Sequence, residues 1–299
     1  MALKKIKSAY EHVVQVITIW NGANASAMGA AVAFYTIFAI APLFILVLAL
    51  AGLLFGHEAA QRELFGQIEG LVGKNGAEAV QSILAAANQP RSGLVATIIG
   101  FTTLFVGAGS VFIQLQQSLN AIWNVRLKSS SFRRFIQLRL LSFAALLGIG
   151  FLLLVSLTVS AALHAAGKWM SGTIPDHEVI WQILDVIVSL GIISLLFAMM
   201  FKLLPDVIIQ WRNVWIGSFI TALLFTVGKF LLGAYLGRSS LSSAYGAAGS
   251  FVVVLLWVYY SAQILLLGAA SIRVYARQHG SPIQPSAHAE FITREKNPK

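Results

Sequence analysis

The sequence has no cysteine, and only 11% of its 299 residues are Asp, Glu, Lys or Arg. The first absence excludes disulfides, thiolate metal sites and thiol nucleophiles. The second excludes more, because an ordinary soluble domain is about a quarter charged. A chain so poor in charge cannot cover itself with a water-facing surface, so much of its exterior is expected to face hydrocarbon. Acids are the scarcer sign, 11 against 21 basic residues, for a net charge of +10.

Catalytic patterns are missing too. A helical zinc site needs two histidines four apart with a glutamate beside the first. His57-Glu58 and His177-Glu178 begin that pattern, but Gln61 and Trp181 occupy the fourth positions. There is no Gly-rich phosphate cradle and no Gly-x-Ser-x-Gly elbow. The expectation is a chain that is not an enzyme, with no catalytic residue, cofactor or metal ligand to name.

What the sequence has in quantity is apolar length: 58% of residues are hydrophobic and mean hydropathy is +0.78. Six stretches reach the roughly 20 residues needed to cross about 30 Å of hydrocarbon. They lie near 25–56, 93–115, 140–163, 179–201, 214–236 and 247–272. The fold class expected is an all-α membrane protein, a bundle of about six transmembrane helices. The first stretch exceeds a straight crossing, and Pro42, which lacks an amide donor and clashes one turn back at Phe38, predicts a kink inside it. Residues 1–24 precede the six-span domain of 25–272 as an amphipathic cytoplasmic segment, whose Lys4, Lys5 and Lys7 suit anionic lipid. The tail 273–299, with Gly280, Pro282, Pro285 and Pro298, reads as cytoplasmic and poorly ordered from Gln278 onward.

Orientation follows from the cations. With the amino terminus inside, fifteen basic residues fall on the cytoplasmic side and five outside, an asymmetry that places both termini in the cytoplasm. Trp20, Trp123, Trp211 and Trp215 then sit at inner boundaries, and Trp169 and Trp181 at outer ones, where amphipathic rings belong. The loop 57–92 is the one sizeable extracytoplasmic segment. Its apolar positions Leu64, Ile68, Leu71 and Val72, then Val80, Ile83 and Leu84, recur at helical spacing and predict two short amphipathic helices. The basic run from Val125 to Arg139 has no stacking platform or nucleic-acid module, and topogenic charge accounts for it.

Polar groups inside the spans mark the candidate interior. Asp185 and Lys229 are the two full charges there, at compatible depths of roughly 6 and 10 Å. Two readings stand: both face an interior site, or Lys229 snorkels outward and Asp185 sits at the interface. Gln263, with Gln114, Gln116, Gln117 and Asn120 leaving the second span, adds uncharged hydrogen-bonding groups. Small residues (Ala27, Gly29, Ala30, Ala31 and Ala33 in the first span, Gly246 to Ser250 in the sixth) predict close helix packing.

Several of these segments resemble the YihY/BrkB family of bacterial multi-pass inner-membrane proteins. In the first span, residues 30–43, Ala-Ala-Val-Ala-Phe-Tyr-Thr-Ile-Phe-Ala-Ile-Ala-Pro-Leu, carry Tyr35 and Pro42. Residues 117–124 end in Ala-Ile-Trp-Asn with Trp123, and Leu203-Leu-Pro-Asp206 contains Pro205. The longest match, 245–269, holds Tyr245, Gly246, Gly249 and Trp257. The chain departs from the family at Ala270, where members commonly carry an acidic residue. The resemblance implies an envelope role and proposed transport; an older ribonuclease label for the family finds no supporting site in these residues.

Together these readings predict a transporter or flippase-like permease of the bacterial plasma membrane. It would move a lipid, lipid-linked or small polar molecule along a route lined by Lys229, Asp185, Gln263 and Asn120, with the outer loop over its mouth. The alternative is a structural or assembly protein of the envelope without cargo, and the third reading a membrane enzyme. Partners expected are the bilayer, anionic lipids at the cytoplasmic face and a lipid or small-molecule substrate, with oligomers allowed and nucleic acid not.

Overall fold

A computed structural model describes residues 2–56, 94–128, 177–238, 249–279 and 283–292, and parts of 58–81. Among the described residues there are six long helices: α1 (Ala2–Gly22), α2 (Ala25–Phe55), α3 (Leu94–Trp123), α4 (His177–Leu203), α5 (Trp211–Arg238) and α6 (Gly249–Gln278). Five of these, α2 to α6, occupy five of the six apolar stretches. The remaining stretch, 140–163, lies outside the described residues. Among the described residues, Val186–Leu203, Trp211–Tyr235 and Phe251–Gln278 are long and apolar enough to cross a membrane, and α1 with α2 adds a fourth crossing if that bent pair is one span.

α2 is a single helix of 31 residues that runs through Pro42 without interruption. A sharp change of direction comes before it, a 61° bend between α1 and α2. Asn24 makes that bend with a left-handed φ of 55°, a conformation its short polar side chain tolerates. In a helix that has no water to compete for its carbonyls, one missing amide is tolerated more readily than a lost turn.

α5 shows how the sequence sorts its faces. Val214, Gly217, Ser218, Thr221 and Ala222 are buried, whereas Trp211, Trp215, Phe219, Leu223, Val227 and Phe230 are exposed. Small and polar residues point inward and large apolar ones outward, the reverse of a soluble helix and the arrangement a lipid solvent selects. The inward small residues let α5 and α6 touch closely. A Cβ on Gly217 would strike Ile272, one on Gly228 the Tyr260 hydroxyl, and one on Gly268 the Thr221 hydroxyl. Between these approaches, Trp257 packs edge-on against Phe225 at 5.4 Å. α2 meets α6 in the same way, with Gly29 leaving room for the Gln263 amide. The sixth-span cluster from Gly246 to Ala248 lies outside the described residues.

At one end of the bundle the connections between helices form two small antiparallel sheets with the tail. β1 (Val125–Leu127) pairs with β4 (Ala289–Phe291), and β2 (Val207–Ile208) with β3 (Gln284–Pro285). Residues 283–292, within the tail expected to be poorly ordered, thus run as an extended strap across the ends of α3 and α4. Proline at β3 is tolerated because a two-stranded ribbon has an outer edge that needs no donor. The Arg126–Glu290 pair at 3.0 Å, well exposed, adds little beyond register. Helical residues recur in the outer loop between Glu58 and Gln81, where Ala77 and Val80 are buried; Ile68, Leu71, Val72, Ile83 and Leu84 lie outside the described residues.

Candidate functional site

Two polar features lie under and beside the strap. The first is centred on Asp206, which is 7% exposed in the turn after α4. Gln116 and Asn120 stand one turn apart on α3, so both amides reach the same point. Gln116 Nε2 and Asn120 Nδ2 donate to Asp206 Oδ2 at 3.1 and 2.8 Å. In return the Asp206 amide donates to Asn120 Oδ1 at 2.9 Å. The Asp206 carbonyl accepts the Ser286 amide at 2.9 Å, which ties in the strap. A buried carboxylate is costly unless its lone pairs are used, and here two donors from α3 converge on it. Nearby, Lys202 donates to the Ile209 carbonyl and lies over the Trp211 ring.

The second feature is an open cleft of about 410 Å³ between the end of α1, the end of α3 and α6, with Thr18, Gly22, Ala23, Asn124, Arg273 and Ile292 in its walls. Arg273 is half-buried on α6 and uses one nitrogen, Nη1, to donate to the Ile122 carbonyl. That carbonyl belongs to the last turn of α3, where backbone acceptors lack helical partners and the helix dipole attracts a cation. Asn124 closes the turn with a left-handed φ of 59°, and its side-chain Nδ2 donates to Ile292 O at 3.1 Å. Arginine carries five N–H donors. Among the described residues none of its other four meets a carboxylate.

The residues singled out from sequence are distributed rather than gathered. Asn120 belongs to the Asp206 cluster. Gln263 Nε2 approaches the Ala25 and Ser26 carbonyls at 3.4 Å each, at the start of α2, while its buried Oε1 finds no donor among the described residues. Lys229 Nζ lies 5.4 Å from the Phe230 ring centre. Asp185 is a helical residue of α4 whose side chain lies outside those described. Of the motif residues, Trp123 and Trp257 are buried, with Trp123 edge-on to Phe201 at 6.5 Å. Pro205 is buried, Tyr35 exposed, Pro42 helical and Gly249 the first residue of α6. Tyr245 and Gly246 lie outside the described residues. Ala270 is fully buried in the core.

Sequence reasoning missed Asp206 and Arg273 as site residues. Asp206 stood out only as the end of Leu-Leu-Pro-Asp, although an acid is conspicuous in a chain with 11. Arg273 was counted with the topogenic cations, a rule that treats all of them alike.

The chain matches a family model described as virulence factor BrkB over residues 16–293. It is similar to a UPF0761 membrane protein of Verminephrobacter eiseniae, 30% identical over 79% of this chain and 55% of the relative. A UPF0761 membrane protein of Albidiferax ferrireducens is 31% identical over 62% of this chain and 43% of its own length. One from Stenotrophomonas maltophilia is 26% identical over 85% and 58%. The chain thus spans about half the length of the curated relatives it matches. No solved structure matches it.

Proposed function

Because the chain belongs to the virulence factor BrkB family of membrane proteins, we propose that it is a transporter or flippase-like permease of the bacterial plasma membrane, carrying a lipid, lipid-linked or small polar molecule. The observation that supports this is the 410 Å³ cleft with a half-buried arginine at the mouth of an otherwise apolar bundle. A half-buried cation there attracts anionic or polar cargo more strongly than one in bulk water would, because its surroundings screen it less. In this reading the chain has six spans, both termini and the strap lie on the cytoplasmic side, and no catalytic step is involved.

A second reading, a structural or assembly protein without cargo, draws on the Asp206 cluster. There, buried polar groups of α3 and the turn after α4 bond one another, as a packing device requires. Reconstitution separates the two. Proteoliposomes containing a panel of headgroup-labelled lipids, and others loaded with small polar solutes, are compared with protein-free vesicles. Transbilayer movement accelerated at least about tenfold supports the permease; rates equal to protein-free vesicles across the panel leave the structural reading.

A further inference from the structure

We infer that the cleft beside Arg273 binds the phosphate of an anionic lipid headgroup, with the acyl chains lying along α1. The inference deepens the permease reading by naming its substrate class, and rests on that reading only for the movement that comes after binding.

Three observations converge on this assignment. The cation comes first: one guanidinium nitrogen of Arg273 is committed to the Ile122 carbonyl, and the planar fork retains donors suited to two phosphate oxygens. Arg277 comes one turn later on α6 and is exposed, so the local field is positive on the side from which a headgroup arrives. Size is the second observation. A cleft of about 410 Å³ lies in the range of small-molecule sites, which run from about 300 to 1,000 Å³.

The third observation selects a lipid over a free anion. One wall of the cleft is the end of α1, and the same helix exposes Tyr10, Val13, Val14 and Ile17 at helical spacing while Val16 is buried against the bundle. An apolar stripe left uncovered beside a positive cleft is the pattern of a helix lying in the headgroup boundary. Exposed Trp211 and Trp215 begin α5 at the same end of the bundle, at the level where indole rings settle. On α1 the row Val14, Thr18, Gly22, at four-residue spacing, joins the exposed stripe to the wall of the cleft, so a headgroup in the cleft has apolar surface beside it for its chains.

The test uses the full chain in a neutral detergent, titrated with phosphatidylglycerol, phosphatidylcholine and inorganic phosphate, with binding read by native mass spectrometry. Phosphatidylglycerol is expected to bind at least about tenfold more tightly than phosphatidylcholine: both offer the phosphate oxygens, but the quaternary ammonium of choline is repelled by Arg273 and by the exposed Arg277. Inorganic phosphate is expected to compete only at millimolar concentration. R273Q weakens phosphatidylglycerol binding by about tenfold or more, and R273K restores part of it. Since Arg273 also caps α3, G22L supplies an independent arm. Gly22 lines the cleft and a Cβ there meets nothing within 4 Å, so G22L adds apolar bulk at the cleft wall while the arginine and its bond to Ile122 remain.

Binding that survives both R273Q and G22L overturns the assignment, as does phosphatidylcholine binding equal to phosphatidylglycerol, or inorganic phosphate binding as tightly as the lipid. If lipid binds in the cleft yet is not moved across proteoliposomes, the permease reading fails and the site stands. If lipid is moved but G22L and R273Q bind it normally, the site fails and the permease stands.

Discussion

The Asp206 cluster and the Arg273 cleft are two charged features of opposite sign at one end of the same bundle, and they differ in what is left over. Asp206 is 7% exposed and receives two side-chain donors, while its own amide and carbonyl are also bonded. Arg273 is half-buried, donates once among the described residues, and borders a cleft. A charge whose hydrogen-bonding capacity is consumed within the protein holds helices in register, and one with donors to spare beside a void is fitted for a visitor. On the reading proposed here, the contrast assigns the cluster to stability and the cleft to binding.

The largest effect expected is at the cluster. D206A leaves the buried amides of Gln116 and Asn120 facing no acceptor, and a cost of about 3 kcal/mol is expected, read as a fall in melting temperature of the detergent-solubilised protein. A variant that melts with wild type would make the cluster as dispensable as a surface pair and erase the contrast.

N120A sharpens the same side. It removes a donor to the carboxylate and the acceptor of the Asp206 amide, at an expected cost of about 2 kcal/mol. Because both substitutions break one network, the double variant is expected to cost clearly less than the sum of the two. Strict additivity would show that Asn120 and Asp206 act separately despite their bonds.

How much of this was legible in the sequence depends on the range of the signal. Apolar length is local and repetitive, so α2 to α6 coincide with five of the apolar stretches, whereas the outward Trp211, Phe219 and Val227 sit in a helix apolar nearly all round and could not be read from its pattern. The strap was not legible, because strands of two and three residues have no period to read and their partners lie far away in sequence. The 61° turn between α1 and α2 falls where Asn21, Gly22 and Asn24 cluster, turn formers that a reading based on apolar length passes over. The partnership of Asn120 with Asp206 spans 86 residues, and no spacing rule joins an amide on one helix to an acid after another. Arg273 was legible as a charge, but its role depends on the void beside it.

On the cleft side smaller effects on stability are expected. R273Q loses one hydrogen bond to the Ile122 carbonyl from a side chain that borders an open cleft, and the cost in lipid-free detergent is expected to be about 1 kcal/mol. A loss as large as that of D206A would move Arg273 into the structural class and collapse the distinction between the two regions.

The smallest effect is expected from G22L, and it is the most discriminating for that reason. Gly22 is the last residue of α1, has no neighbour in the way of a Cβ, and does not adopt the positive φ that would strain a side chain. Leucine is a better helix former than glycine by just under about 1 kcal/mol, while an apolar side chain projecting into a wet cleft returns part of that gain. The net change in melting temperature is therefore expected to be near zero. A folded protein with its arginine in place and its cleft filled separates the two roles of this end of the bundle. If G22L melts far below wild type, the void is part of the packing and the cleft belongs with Asp206 as architecture; if it melts with wild type, any change in lipid binding is due to the occupied space alone.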